Sequence, residues 1–236
     1  MTRQPVLTII PAKAHSRRVP GKNMRCVGGV PLMVRAVEQA RTSGVCGLIH
    51  VATDDEGIAA LAREAGADVP FLRRDDVDDV TSVGRAAANA LRRYREELGA
   101  RFDYVCLLLA TSPLRAPEDI VGCRDLLLAD PGLDAAGSVV QAEKHPAWAW
   151  TVDAAGRMVS LFPELRDMER EDLPPAYFYD GAVYWAKADF FESVDGNQYR
   201  GGIAPYVMPP ERAVDVDTPL DLALADLLAR KEDAPC

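Results

Sequence analysis

Two stretches of this chain combine the residue types that hold a polyphosphate and a divalent cation. In the first, Ile10-Pro11-Ala12-Lys13-Ala14-His15-Ser16-Arg17-Arg18-Val19-Pro20-Gly21-Lys22-Asn23, four cations (Lys13, Arg17, Arg18, Lys22) stand beside Ser16 and Asn23. Cations and hydroxyl or amide donors in a loop leaving a strand are the groups that cradle phosphate oxygens. The loop matches neither a Walker motif nor a glycine-rich dinucleotide fingerprint, and by itself it reads equally as a solvated basic loop. In the second, Asp215-Val216-Asp217, the carboxylates are two apart, and on a strand both face one side. Two hard oxygen ligands suit Mg²⁺ bound jointly with substrate phosphates. Alone, the pair reads equally as solvated acids or as caps for the following helix. Nucleotidyl transfer needs both a cationic cradle and a divalent metal, so the two stretches together say more than either.

The elements that must position them alternate strand and helix. Val6 to Ile10 is an apolar strand, and the prolines at 11 and 20 keep the basic loop from becoming helix. A helix is predicted over Pro31 to Ala40, a strand over Leu48 to Ala52 and a helix over Glu56 to Ala65, closed by Gly66. Val69 to Leu72 is predicted as a short strand, Ser82 to Leu98 as an amphipathic helix, Tyr104 to Leu109 as a buried central strand and Pro117 to Ala129 as a helix. This order implies an α/β fold with a mostly parallel sheet. After Asp134 the rhythm changes. Short strands at Ala135 to Val140, Ala147 to Val152 and Met158 to Phe162, with a turn at Asp153 to Gly156, suggest a small antiparallel excursion over about residues 135–175. One further strand, Ala182 to Trp185, and a terminal helix through Leu228 complete a single domain over residues 1–236.

Composition narrows the class. The chain has 236 residues, 48% hydrophobic, with a net charge of -9. That charge argues against a nucleic-acid or membrane-surface partner. Five scattered cysteines without a CxxC pair, no signal-like start and no long apolar span imply a cytoplasmic protein with reduced thiols. The lone histidines His15, His50 and His145 form no metal-binding spacing.

Taken as ordered blocks, the chain resembles the acylneuraminate cytidylyltransferases, which make CMP-activated sialic, legionaminic and pseudaminic acids. The blocks are Ile10 to Asn23, Val51 to Asp55, Val69 to Arg73, Thr111 to Arg115 and Asp215 to Pro219. The resemblance implies a Rossmann-like, mostly parallel sheet of the nucleotide-diphospho-sugar transferase type, CTP as co-substrate, an acidic sugar as acceptor, Mg²⁺ and a homodimer. It places Lys22 on the α-phosphate, with Arg17 beside it, and assigns Lys13, Ser16, Asn23, Arg73 and Thr111 to the nucleotide. Ser82, or else Thr81, matches a hydroxyl on the cytosine. Asp215 and Asp217 match the magnesium pair, and Arg170, Asp180 and Tyr184 fall at sugar-binding positions, although Arg170 reads equally as a surface residue of its acid-rich run. Four departures touch these assignments. The family's first-loop arginine is Lys13, its two glycines are Ala14 and His15, its Gln-Pro is Leu109-Ala110, and its asparagine before Gly-Ala-Val-Tyr is Asp180. An acid at 180 repels an anionic sugar unless a cation or proton intervenes. The reaction is therefore better specified than the acceptor, and a different anionic alcohol, such as a phosphonate, remains the alternative.

Overall fold

In a computed structural model, which describes residues 5–16, 19–74 and 82–232, the chain forms a three-layer α/β structure. Strand β1 (Val6–Pro11) leaves the core into the basic loop, and a two-stranded ribbon, β2 (Cys26–Val27) and β3 (Val30–Pro31), follows. Next come α1 (Leu32–Ser43), β4 (Leu48–Ala52), α2 (Glu56–Glu64), α3 (Val83–Leu98), β5 (Tyr104–Leu107) and α4 (Pro117–Ala129). The second half holds β6 (Ala135–Gln141), the hairpin β7 (Trp150–Val152) and β8 (Met158–Ser160), then β9 (Tyr177–Lys187), α5 (Ala188–Ser193), β10 (Ile203–Val207) and α6 (Pro219–Glu232).

The main sheet has six strands in the order β10-β6-β9-β5-β1-β4, and only β9 runs against the others. Alternation along β1 splits the core. Val6 and Ile10 join one apolar cluster with residues of α1, α2, α4 and α6, while Leu7 and Ile9 join another with α3 and α5. A sheet covered on both faces needs strands without a polar side, and this explains the nearly continuous apolar runs. Helix starts follow their caps: Asp55 Oδ1 accepts from Ile58 N (2.8 Å) and Ser82 Oγ from Arg85 N (3.1 Å), as their side chains predict.

Three expectations change. Val69 to Leu72 is not a strand: a single parallel bridge joins Asp68 to His50 and the chain then bends, because Pro70 has no N–H for a ladder. The excursion begins after Gln141 rather than at 135, since β6 lies inside the main sheet, parallel to β10; its wholly apolar start suits a covered position. The Ala182 to Trp185 strand is the end of a longer β9, inserted antiparallel between β5 and β6. The hairpin does form, closed by Asp153 N to Arg157 O at 2.9 Å with Gly156 at φ 76°.

β9 is not regular. Its register with β6 shifts between Gly137 and Val139, and Ser138 fills the gap: its hydroxyl accepts from Val183 N (2.8 Å) and donates to Asp180 Oδ1. Gly181, at φ 75°, makes the turn inside the strand. A bulge of this kind re-aims side chains beside a site.

One buried group gives a pH signature. His50 is fully buried beneath α3, with Nδ1 on Asp68 O (3.1 Å) and Tyr94, Phe71 and Arg93 around it. Burial pushes its pKa down to about 4, so the folded chain keeps it neutral. Between pH 6.5 and 4 the unfolded chain takes up a proton that the fold refuses. This contribution is intact above about pH 6.5 and falls by roughly 3 kcal/mol by pH 4. Urea midpoints at pH 7 and pH 4.5 are expected to converge in His50→Gln relative to the parent; an identical pH loss in both contradicts the assignment.

Candidate active site

The carboxyl ends of β1 and β5 point to the same edge of the sheet, and their continuations diverge there. Such a crevice is where open α/β sheets bind ligands. A cavity of about 270 Å³ occupies it, lined by Pro11, Lys13, Ser16, Lys22, Asn23, Arg73, Val83, Leu109, Ala110, Thr111, Asp215 and Asp217.

Each charged group has a local reason for its position. Asn23 is buried and its Nδ2 donates to Lys13 O (2.8 Å), which folds the basic loop back on itself. Ala14 N donates to Asp54 Oδ1 (2.8 Å), tying the same loop to the end of β4. Gly21, at φ 63°, allows the tight turn that opens a short 3₁₀ segment, Lys22–Met24. Lys22 thereby reaches across the cavity, its Nζ 3.0 Å from Asp217 Oδ1, a contact spanning 195 positions of sequence. Arg73 N donates to Thr53 O (2.8 Å), fixing its backbone beyond β4.

Asp215 and Asp217 do not lie on a strand, contrary to expectation. They sit in an extended segment whose Val216 is buried and whose Val216 N donates to Thr111 O (2.7 Å). Both acids line the cavity while Val216 packs in the core. Asp221 Oδ2 completes the anchor, accepting from Asp217 N (3.0 Å) and Thr218 N (2.7 Å) at the start of α6. Asp215 opens to the cavity, yet the surrounding wall withdraws its carboxyl from bulk water and raises its pKa; Asp217 adds to the rise and a Thr111 hydrogen bond opposes it. Two close carboxylates of this kind fit a hard divalent cation. Among the described residues no group of three or more acids, histidines or cysteines stands together to hold a metal.

Of the residues singled out in the sequence, Lys13, Ser16, Lys22, Asn23, Arg73, Thr111, Asp215 and Asp217 converge on this cavity. Arg17 and Thr81 lie outside the described residues. Ser82 does not line the cavity: its hydroxyl caps α3, and its neighbour Val83 takes the wall position. The three sugar-site positions do not line this cavity. Asp180 is buried in the β9 bulge, where Oδ1 accepts from Ala182 N (2.9 Å) and from Ser138; burial raises its pKa against those bonds. Tyr184 is core, its ring 6.0 Å from that of Phe191, and burial raises its pKa. Arg170 is exposed and donates to Glu143 O (3.1 Å). Sequence position alone gave Asp180 no direction, and the bulge and Gly181 decide it. The apolar wall of Pro11, Val83, Leu109 and Ala110 was only half visible, Leu109 and Ala110 having stood out as departures from the family pattern.

A sheet-edge crevice with cations on one side and a carboxylate pair on the other defines a nucleotidyltransferase-type site. Comparison with known proteins makes this specific. A family model described as cytidylyltransferase matches residues 7–154, and the chain belongs to that family. It is 32% identical over 228 residues to a CMP-N,N'-diacetyllegionaminic acid synthase of Legionella pneumophila, covering 94% of this chain and 95% of that protein. It is 30% identical over 232 residues to a pseudaminic acid cytidylyltransferase of Campylobacter jejuni, covering 94% and 95%. Among solved structures, a CMP:2-keto-3-deoxy-manno-octonic acid synthetase complexed with CTP shares the fold, with TM-score 0.72 and 18% identity over 97% of this chain and 99% of that one.

Proposed function

We propose that the protein transfers the CMP group of CTP to the anomeric hydroxyl of a nonulosonic, sialic-acid-like sugar and releases pyrophosphate. The convergence of Lys13, Lys22 and Arg73 with Asp215 and Asp217 on one cavity carries this reading, in a chain whose similarly sized relatives are named for such products. The hydroxyl oxygen bonds to the α-phosphorus as the bond to the departing pyrophosphate breaks in line, and the hydroxyl proton is released. No protein nucleophile is required: Cys46, Cys106 and Cys123 are buried, and Cys26 is not among the cavity residues.

Lys22 and Arg73 hold phosphate oxygens, and Lys22 exchanges its contact with Asp217 for the α-phosphate when nucleotide enters. Asp215 and Asp217 would hold Mg²⁺, which would supply positive charge against the phosphates and the leaving pyrophosphate. Ser16, Asn23 and Thr111 orient the nucleotide. Positioning and fixed charge supply the rate enhancement, as elsewhere in transfer to phosphorus. Leu109 and Ala110 make the acceptor side apolar, which favours an N-acylated sugar. Mass spectrometry of a reaction with CTP, Mg²⁺ and a panel of nonulosonic acids tests the assignment: a CMP-linked product with one of them is expected, and none with any contradicts it.

Two further features complete the reading. Trp150, Val152, Met158, Leu161 and Phe178 are exposed on and beside the hairpin, an apolar patch of the kind that marks an interface; we read it as the contact of a homodimer. Light scattering is expected to return twice 25.7 kDa, and a Val152→Lys/Met158→Lys variant a single chain's mass; a monomeric parent contradicts this. No helix among the described residues is long and apolar enough to cross a membrane, and CTP as co-substrate, with no disulfide among the described cysteines, fits a cytoplasmic setting.

A further inference from the structure

Arg115 is buried, 1% exposed, and among the described residues no carboxylate stands within ion-pair distance of it, Asp119 and Asp180 acting on its charge only from further off. Its guanidinium is spent on neutral partners. Nη1 donates to Leu109 O (3.2 Å) and to Ala182 O on β9 (2.5 Å), and Nη2 donates to Gln39 Oε1 (2.9 Å). Gln39, on α1, grips the same loop from the other side: its Nε2 donates to Pro113 O (2.8 Å) and to Arg115 O (2.5 Å). A buried cation without a paired acid is costly, although burial brings its pKa down only to about 10, so it keeps its charge at neutral pH.

What this clamp secures is the wall of the cavity. Leu109, Ala110 and Thr111 line it, and Thr111 O is the acceptor on which the acid segment rests through Val216 N. On the far side, Leu109 packs against Gly181, where an added Cβ would stand 2.7 Å from Leu109 Cδ1. Helix α1, the loop after β5, strand β9 and the acid segment thus meet at one glutamine–arginine pair. We propose that Gln39 and Arg115 are positioning residues for the transfer, setting the place of Asp215 and Asp217 relative to Lys22 through the Leu109–Thr111 wall. This rests on the cytidylyltransferase reading above. Neither side chain touches substrate; both act through the backbone they hold.

The test is Gln39→Leu, which keeps bulk and removes its three hydrogen bonds. Mn²⁺, standing for Mg²⁺ and followed by its paramagnetic resonance signal, is titrated into the protein–CTP complex of the parent, of Gln39→Leu and of Asp217→Asn. The clamp predicts a folded Gln39→Leu protein whose complex binds Mn²⁺ about tenfold more weakly, as loss of an orienting partner behind a metal ligand does. It also predicts a comparable fall in kcat with KM for the sugar unchanged. A lower melting temperature with unchanged Mn²⁺ affinity means the pair serves stability alone and overturns the proposal. If Gln39→Leu does not fold, Gln39→Glu, which keeps an acceptor for Arg115 but cannot donate to Pro113 O and Arg115 O, is read by the same criteria. A parent complex that binds no Mn²⁺, or an Asp217→Asn complex that binds it as tightly as the parent, overturns the metal reading and the clamp with it. A normal parent, a weakened Asp217→Asn and silent Gln39 variants overturn the clamp only.

Discussion

Replacing Lys22 by alanine is expected to slow pyrophosphate release from CTP about 10²- to 10³-fold, the loss typical of removing one fixed donor to a developing charge. Lys22 enters the cavity from a turn made possible by Gly21 and held by Lys22 N to Val19 O at 3.1 Å. Its ion pair with Asp217 is partly exposed, with side chains 15% and 42% accessible. Such a pair contributes on the order of 1 kcal/mol or less to stability, so the variant should melt near the parent. This separation makes the result decisive: a large fall in kcat at nearly constant melting temperature belongs to chemistry, not folding. Lys22→Arg keeps the charge on a bulkier head and is expected to recover only part of the rate. Steady-state turnover of Lys22→Ala equal to that of the parent would remove Lys22 from the mechanism.

The second large effect is expected at the acid pair. Asp217→Asn and Asp215→Asn each lower turnover by about 10³-fold, because metal charge at a reacting phosphate is worth several kcal/mol. The segment bearing them is held by its backbone, through Val216 N to Thr111 O and Asp217 N to Asp221 Oδ2. Amide substitutions therefore leave the local chain in place and remove only the carboxylate charge. Calorimetry checks this directly: Mg²⁺ binding to the CTP complex is expected to be lost in both variants, while CTP binding without metal persists, since Lys22 and Arg73 remain in the cavity. Metal binding of parental strength in the Asp215→Asn/Asp217→Asn double variant contradicts the assignment.

How much of this was legible in the sequence depended on range. The basic loop, the helix starts at Asp55 and Ser82 and the proline-led α4 were readable because caps, turns and cation clusters act over a few residues. The meeting of Lys22 with Asp217 was legible as chemistry, since a cationic cradle and a carboxylate pair have a common use, but not as a distance. The placing of β9 was not readable: nothing in an apolar strand says that it enters antiparallel between β5 and β6. The orientation of Asp180 and Tyr184 was hidden for the same reason at smaller scale. Aligned position gave them a sugar-binding expectation, while Ser138 in the register shift and Gly181 in the turn direct Asp180 inward, and Tyr184 packs against Phe191. Val69 to Leu72 was overread because its β-forming side chains outweighed one proline. Arg115 stood in a recognised block without a role, since only the fold reveals that its partners are carbonyls of the cavity wall and of β9.

The most direct measurement is a crystal structure with CTP and Mg²⁺. It is predicted to show the triphosphate in the crevice beyond β1 and β5, the α-phosphate on Lys22 and one metal ion bridging the phosphates to Asp215 and Asp217. CTP bound away from Lys22, or a metal held without either aspartate, would contradict the account.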